Sequence, residues 1–463
     1  MKGNRKDIDL SGEPGREALV KEGVKKMNGW NRDVATVSLP EVNATIPVDA
    51  SAGFWKKLFA FMGPGFLIAV GYMDPGNWAT DLAGGARFGY TLLSVIVISN
   101  LVAIMLQHLA LKLGIVSGRD LAQACRDSYS RKFTILLWIL CEIAIAACDL
   151  AEVIGSAVAL NLLFGIPLVA GVIMTALDVL IVLYLQNKGF RYIEALVSGL
   201  IAVIGFCFIY ELIISKPVIN EVLGGIIPAK QIVTNPEMLY IAIGIMGATV
   251  MPHNLYLHSS IVQTRKYTRS VTGQKMAIKY ATLDSTVSLM LALFINAAIL
   301  IISASVFHQS GHNDVADIND AYKLLTPLLG APLASAFFGV ALLASGQNAT
   351  LTGTMAGQIV MEGFLNIRLR PWVRRLLTRM VAIIPAVIVA GFYGERGIGN
   401  LLILSQVILS LQLSFAVVPL VSFTGNKAKM GKFVNKKWLR IASWCITAII
   451  ISLNIYLLFS VIF

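Results

Sequence analysis

The chain has 463 residues, of which 56% are hydrophobic and 14% are charged. This composition excludes an ordinary soluble globular protein, in which about a quarter of the residues are charged. Apolar runs of about 20 residues, long enough to cross a bilayer, recur from Leu58 onward and predict an all-α polytopic membrane protein. The net charge of +12 does not predict a nucleic-acid partner, because the basic residues lie between the apolar runs rather than on one domain face.

Residues 1–53 are predicted to be a mostly disordered tail. They mix charged residues, Gly and Pro without sustained helical periodicity. We expect no removable signal peptide and no functional role for the tail. Residues 54–463 form the predicted transmembrane domain.

The transmembrane domain is predicted to contain eleven membrane spans, at residues 58–86, 91–114, 133–162, 167–187, 193–215, 237–263, 282–308, 328–362, 373–392, 398–424 and 439–462. Spans one and six are both interrupted, so the first ten divide into two repeats of five, residues 58–215 and 237–424. An odd repeat length gives the halves opposite orientations, as in inverted-repeat transporters. Span eleven, residues 439–462, is then an extra helix.

Charged residues in the connections predict the orientation of the chain. The loop after span seven is acidic, with Asp314, Asp317 and Asp320. Alternate connections are basic and contain Arg119, Arg126, Arg131, Lys132, Lys266, Arg269, Arg368 to Arg375 and Lys427 to Arg440. We therefore expect a plasma-membrane protein with a cytoplasmic N-terminus and an external C-terminus.

The cysteines are scattered without short paired spacing, and four of them lie in or near apolar runs. They are Cys125, Cys141, Cys148, Cys207 and Cys445. This pattern predicts packing residues rather than a disulfide or a zinc site.

Span one is interrupted near its middle by Asp74-Pro75-Gly76-Asn77. A broken membrane helix exposes backbone carbonyls that lipid cannot satisfy, so such a break persists where it lines a cavity. A carboxylate at the bilayer centre costs about 2.5–3.5 kcal/mol, so Asp74 requires a cation or a proton unless nearby backbone N–H groups satisfy it. Asn77 can direct an amide oxygen to the same point.

Span six carries the second break, at Met251-Pro252-His253. Pro252 cannot donate a hydrogen bond, so the carbonyl of a residue near Ala248 loses its helical partner. Met251 alone is more often core filler than a ligand, but its position opposite Asp74 favours a ligand. Carboxylate, amide and carbonyl oxygens with one thioether suit Mn²⁺, Fe²⁺ and later first-row ions better than Ca²⁺ or Mg²⁺.

Several ionisable residues near the breaks predict a proton path. Asp74 can exchange a proton, and His253 lies two residues beyond Met251, although an imidazole bonded within the helix packing is the alternative. Asp149 and Glu152 on span three share a helix face, with Glu142 two turns earlier.

Four motifs together resemble the Nramp family of proton-coupled divalent metal transporters. They are residues 74–77, residues 251–253, and at span eight residues 346–354 and 357–364. The resemblance extends from about residue 55 to the end of the sequence. It implies a LeuT-type fold with discontinuous helices one and six, and bacterial members mainly import manganese.

The resemblance also implies roles for individual residues. The implied metal ligands are the side chains of Asp74, Asn77 and Met251 and the carbonyl of Ala248, joined in some states by the carbonyl of Gly71 and by Gln406. The implied proton route leads from Asp74 and His253 to Asp149 and Glu152, with Arg379 on span nine. Ser414 stands where the family pattern predicts proline in span ten.

We therefore expect a monomeric importer of Mn²⁺ or Fe²⁺ coupled to protons by alternating access, with Ca²⁺ and Mg²⁺ excluded and no cofactor. A sodium-coupled organic-solute symporter of the same fold is the nearest alternative, although Asp74 would repel a substrate carboxylate. A magnesium-selective relative is disfavoured by Met251. The sequence lacks His-Glu-x-x-His and Gly-x-Ser-x-Gly, which disfavours an intramembrane enzyme, whereas a passive channel stays open.

Overall fold

The computed structural model describes residues 30, 37–177, 184, 188–313, 315, 318–367, 373, 380–381, 383–388 and 398–462. These residues are mainly helical, and two short strands, β1 (Ile46–Pro47) and β2 (Arg265–Lys266), pair in parallel. The helices are α1 (Phe54–Phe61), α2 (Pro64–Gly71), α3 (Pro75–Phe88), α4 (Leu93–Ser117), α5 (Leu121–Ser128), α6 (Arg131–Phe164), α7 (Leu168–Met174), α8 (Phe190–Ser215), α9 (Ile219–Gly225), α10 (Gln231–Thr234), α11 (Pro236–Thr249), α12 (Pro252–Ile261), α13 (Val271–Ser303), α14 (Ile318–Leu329), α15 (Ala334–Leu365), α16 (Ile398–Thr424), α17 (Lys427–Met430) and α18 (Lys437–Ile462).

Proline fixes where the half-helices begin. Pro64, Pro75, Pro236 and Pro252 occupy the first positions of α2, α3, α11 and α12. The first N–H groups of a helix have no intrahelical partner, so proline starts a helix without loss but prevents a preceding helix from continuing through it. Span one therefore breaks between α2 and α3, and span six breaks between α11 and α12, as the sequence predicts.

The broken helices are enclosed by long continuous ones. α2 and α3 pack against α13, while α11 packs against α3 and α16 and α12 packs against α4 and α15. The long helices α6 and α15 pack closely together, and α16 lies against α6. Both breaks consequently lie inside the helical body rather than against lipid.

Seven stretches of the described residues are long and apolar enough to cross a membrane. They are Pro75–Ser117, Arg131–Phe164, Phe190–Ser215, Pro236–Thr264, Val271–His308, Ile398–Thr424 and Lys437–Phe459. Predicted spans four and nine lie partly outside the described residues. The helical polytopic architecture is confirmed, whereas the number of eleven spans and the inverted repeat stay predictions.

Residues 37–48 differ from the predicted disordered tail, because they pack on the predicted cytoplasmic side. The hydroxyl of Ser38 donates to Asp120 Oδ2 at 2.5 Å, and the buried Leu39 donates its N–H to Glu362 Oε2 at 3.1 Å. The strand pair then joins Ile46 to Arg265. This segment belongs to the folded body, so the predicted boundary at residue 53 is too late for it.

Buried ionic contacts fasten the junction between α1 and α2. The guanidinium of Arg265 lies 2.7 Å from Glu194 Oε1, and its Nη2 donates to the carbonyl of Met62 at 2.8 Å. Asp284 accepts the N–H of Gly65 at 2.7 Å. Charge-assisted bonds of this kind are stronger than neutral ones, so they hold the inner end of span one against the neighbouring helices.

Candidate metal site at the two helix breaks

Asp74 lies at the break in span one, where it caps the second half-helix. Its Oδ1 accepts the backbone N–H of Asn77 at 2.8 Å, which satisfies one of the free donors of the first turn of α3. The side chain is completely buried. A backbone N–H group therefore satisfies one oxygen of the Asp74 carboxylate. The other oxygen, Oδ2, lies 3.8 Å from the thiol of Cys148.

The amide of Asn77 is oriented by the same break. Its Nδ2 donates to the carbonyl oxygen of Tyr72 at 2.5 Å, and Asn296 on α13 donates to that carbonyl at 2.7 Å. The Oδ1 of Asn77 is buried and has no hydrogen-bond partner among the described residues. An acceptor oxygen without a donor is well suited to a cation.

Met251 on span six lies directly against the end of α2. It is fully buried as the N-cap residue of α12, and a β-carbon added to Gly71 would lie 3.2 Å from its sulfur. The same β-carbon would lie 2.2 Å from Nδ2 of Asn254, so a larger residue at position 71 would have to displace the Asn254 side chain. Ala248, buried in the last turn of α11, completes this side of the break.

Gln406 of α16 packs between the two broken spans. A β-carbon on Gly76 would lie 1.7 Å from its Nε2, and one on Gly247 would lie 2.3 Å from its backbone oxygen. Its Nε2 donates to Ser405 Oγ at 3.0 Å, whereas its buried Oε1 has no partner in the described part of the chain. α16 continues through Ser414 without a break.

The predicted ligand residues thus lie around the two breaks, with hard oxygen acceptors and one soft sulfur. A carboxylate oxygen of Asp74, the amide oxygens of Asn77 and Gln406, and the thioether of Met251 are all buried. Among the described residues no cluster of three His, Cys, Asp or Glu side chains has the geometry of a metal site. Such a set can bind a divalent ion without the thiolates that make structural zinc sites permanent.

Cys148 on α6 connects Asp74 with two of the predicted proton-path residues. Its sulfur lies 3.8 Å from Asp74 Oδ2, 3.5 Å from Glu152 Oε1 and 3.9 Å from His253 Nε2. Nδ1 of the buried His253 has no partner among the described residues. The role of His253 in the proton path stays a prediction, with the packing alternative still open.

Asp149 and Glu152 face the same neighbour on span eight, as their spacing predicts. A β-carbon on Gly353 would lie 3.0 Å from an oxygen of each carboxylate. Glu142, one of the predicted path residues, is half-buried and accepts the indole N–H of Trp138 at 2.9 Å. The predicted Arg379 lies outside the described residues.

Cys148 was missed from the sequence, where it was interpreted as a packing residue. Its spacing contained a signal, because it is four residues before Glu152 and therefore shares that helix face. The sequence does not predict that this helix face lies close to Asp74 and His253, because those residues belong to spans one and six.

Comparison with known proteins identifies close relatives over almost the whole chain. A family model described as "natural resistance-associated macrophage protein-like" matches residues 65–460. The divalent metal cation transporter MntH of Listeria welshimeri is 64% identical over 430 residues, covering 93% of this chain and 96% of the relative. The protein of the same name from Bradyrhizobium diazoefficiens is 61% identical over 431 residues, with the same coverage of both chains.

Solved structures of transporters are similar to this chain over about 90% of its length. The manganese transporter of Eremococcus coleocola, solved in complex with an aromatic bis-isothiourea compound, is 44% identical, with a TM-score of 0.84 and 90% of each chain covered. A nucleobase-cation-symport-1 family transporter is 17% identical with a TM-score of 0.57, covering 90% of this chain and 94% of that one. At that identity the second likeness concerns the fold alone.

Proposed function

Because the chain belongs to the Nramp family, we propose that it imports divalent transition-metal ions, with Mn²⁺ the first candidate, by proton-coupled alternating access. Its relatives are named as metal cation transporters rather than enzymes. Mn²⁺ and H⁺ are then substrates, and no cofactor is needed. We place the protein in the plasma membrane as a monomer, with the N-terminus inside and the C-terminus outside.

One observation carries the proposal: buried acceptor oxygens without donors meet a buried carboxylate and a thioether between two broken helices. Asn77 Oδ1 and Gln406 Oε1 have no partners among the described residues, and both lie next to the break that contains Asp74. Leaving such groups buried and unpaired costs about 1–3 kcal/mol each. A cation bound to these oxygens would remove that cost.

The proposed ligands are Asp74, Asn77, Met251 and the carbonyl of Ala248, with the carbonyl of Gly71 and Gln406 joining in one or another state. The thioether of Met251 favours the softer transition metals over Ca²⁺ and Mg²⁺, which gain little from sulfur. A single carboxylate keeps binding reversible, as transport requires.

The proposed proton route starts at Asp74 and His253 and continues to Asp149 and Glu152. Cys148 lies within 4 Å of three of these side chains, so they form a continuous polar contact inside the membrane. Glu142 and Arg379 would extend the route toward the cytoplasm. A divalent ion next to Asp74 favours the ionised carboxylate and so promotes release of its proton.

The test is Mn²⁺ uptake into proteoliposomes of the purified protein, with internal pH recorded simultaneously and excess Ca²⁺ outside. We expect saturable uptake that acidifies the lumen and is unaffected by Ca²⁺. Uptake without acidification would retain the metal site and disprove coupling. Absence of uptake would favour the organic-solute symporter.

A further inference from the structure

A groove of about 480 Å³ lies on the side of the helical body, between α6, α16 and α18. None of the described residues that line it is a proposed metal ligand or belongs to the proposed proton route. α6 and α18 both pack against α16, and Phe133, Phe415 and Leu458 of these three helices line the groove with exposed side chains. Each helix is long and apolar enough to cross a membrane, so the groove opens to lipid hydrocarbon rather than to water.

The polar side chains on the α16 and α18 walls of the groove are hydrogen-bonded to one another. Asn454 of α18 donates to the carbonyl of Ser410 at 2.7 Å and to Ser414 Oγ at 3.2 Å. Its Oδ1 accepts the hydroxyl of Ser410 at 3.0 Å. The Asn454 amide is thus committed to α16, and the remaining wall is mainly aliphatic and aromatic. The groove therefore suits a hydrocarbon chain rather than a polar solute.

Basic residues surround the end of the groove at which α6 begins. Arg131 and Lys132 are exposed and lie between Tyr129 and Phe133, which both line the groove. Neither cation forms an ion pair with another described residue. A tyrosine with an apolar ring and a polar hydroxyl is typical of the boundary between hydrocarbon and headgroups. This end of the groove therefore lies at the level of the lipid headgroups.

A second basic segment, residues 426–440 after α16, reaches the same end of the groove. Lys429 Nζ donates to Ser128 Oγ and lies 4.1 Å from the ring centroid of Phe423. The ring of Phe423 in turn lies 5.6 Å, centroid to centroid, from that of Tyr129. The connection between α16 and α18 thus meets the start of α6 beside the groove.

The charge of this end distinguishes between the possible occupants. Residues 128–141 and 426–440 together contain eight Lys or Arg residues and neither Asp nor Glu. A second copy of the chain, bound through this face in a twofold dimer, would bring like charges together and be disfavoured. Basic groups between helices at a membrane surface instead bind anionic lipid headgroups.

We propose that the groove binds an anionic phospholipid of the surrounding bilayer. One acyl chain lies in the groove along Leu137, Phe415 and Leu458, and the phosphate lies against Arg131 and Lys132. The acyl chain then supplies contacts that join α6 to α18 across α16. This site is separate from the proposed metal site, and its occupancy depends on the lipid composition of the membrane.

The experiment measures lipid binding to the full-length purified protein, delipidated in detergent, by native mass spectrometry. The probes are palmitoyl-oleoyl phosphatidylglycerol, which is anionic, and the phosphatidylcholine with the same two chains, which is neutral overall. Val418→Trp places a large ring in the groove, because Val418 lines it and is half-buried. The double variant Arg131→Gln and Lys132→Gln removes the two exposed cations.

Each variant has a matched control outside the groove. Val203→Trp makes the same substitution at an exposed valine of α8. Lys275→Gln with Lys279→Gln removes two exposed cations from α13 and changes the net charge equally. Thermal unfolding of every variant in the same detergent, with and without phosphatidylglycerol, reports folding and lipid binding independently of the mass spectra.

We expect the wild type to bind phosphatidylglycerol about tenfold more tightly than phosphatidylcholine, because only the former has a net negative charge for the two cations. Val418→Trp should weaken binding of both lipids by about tenfold, since less apolar surface is left for the chain. The Arg131 and Lys132 double variant should weaken phosphatidylglycerol by about tenfold and phosphatidylcholine by less than about threefold. Both controls should resemble the wild type, and phosphatidylglycerol should raise the unfolding midpoint of the wild type more than that of either groove variant.

Three results would overturn the proposal. The first is equal binding of the two lipids by the wild type, and the second is unchanged phosphatidylglycerol binding by Val418→Trp. The third is a wild-type dimer that Val418→Trp dissociates, which would assign the groove to a second copy of the chain. None of these measurements requires metal transport, so their outcome is independent of the proposed function.

Discussion

Met251 and Gly71 are in direct contact across the two broken spans, since a β-carbon on Gly71 would lie 3.2 Å from the Met251 sulfur. The thioether is therefore held where the two breaks meet rather than in a distant part of the core. Substitution of either residue changes the lining of the same small space.

Replacing Met251 with alanine should leave Mn²⁺ uptake reduced by no more than about tenfold while admitting Ca²⁺, because water can replace sulfur for a hard ion. Ca²⁺ competition against Mn²⁺ uptake is the measurement. Met246→Ala, in α11 of the same span but half-buried, is the matched control. If Met251→Ala still excludes Ca²⁺, the thioether does not select the ion.

Asp74→Ala should abolish Mn²⁺ binding and lower uptake by at least about 100-fold, because it removes the only charged ligand proposed at the breaks. Binding can be measured by calorimetry in detergent. Asp320→Ala provides an exposed carboxylate for comparison. Near-normal uptake by the Asp74 variant would disprove the site assignment.

His253→Ala should reduce proton movement per Mn²⁺ by about half or more while changing Mn²⁺ affinity by less than about threefold. The imidazole Nε2 lies 3.9 Å from the Cys148 sulfur, and His253 is not one of the proposed ligands. Simultaneous records of internal pH and Mn²⁺ uptake measure the ratio. An unchanged ratio would show that His253 has a packing role instead. The control is His308→Ala, which lies outside the proposed route.

Arg265→Gln should lower the stability of the protein by about 1–3 kcal/mol, because the buried Glu194 carboxylate loses its partner at 2.7 Å and keeps only Arg191, whose Nη1 lies 3.1 Å from its Oε2. Thermal denaturation in detergent measures the loss. Arg87→Gln should cost less than about 1 kcal/mol, since the Arg87–Glu237 pair is partly exposed, with side-chain exposures of 29% and 58%. Fully additive effects of Arg265→Gln and Glu194→Gln would show that the two residues do not act as a pair.

Stability should fall as pH rises from about 4 to about 6, because burial raises the pKa of Asp120 from 3.8 to about 6. In this interval the folded protein binds more protons than the unfolded chain, so each rise in pH favours unfolding. The contribution is complete below about pH 4, is lost by about pH 6, and amounts to about 3 kcal/mol at most. Denaturation midpoints of the wild type and Asp120→Asn should therefore diverge over this interval and then run parallel. A constant difference between the two curves would contradict the assignment.

The chemical part of the site could be predicted from the sequence because its signals are local. Asp74 and Met251 each stand beside a proline in an apolar segment, and both predicted breaks are present in the fold. The family resemblance based on these motifs is confirmed by the family model and the relatives. The ligand roles themselves stay predictions.

Contacts between distant segments could not be predicted in this way. Cys148 resembles any small apolar residue until α6 is placed beside Asp74 and His253. The packing of Gln406 against Gly76 likewise joins spans one and ten, which share no periodic pattern. Residues 37–48 were assigned to a tail because short polar stretches have no helical period, although tertiary contacts order them.

The pairing of β1 with β2 sets a sequence of events during biosynthesis. Ile46 pairs with Arg265, so its partner leaves the ribosome about 220 residues later. Until then β1 has no partner strand. This short parallel pair can therefore form only after α11 and α12, the two half-helices of span six, have been synthesised.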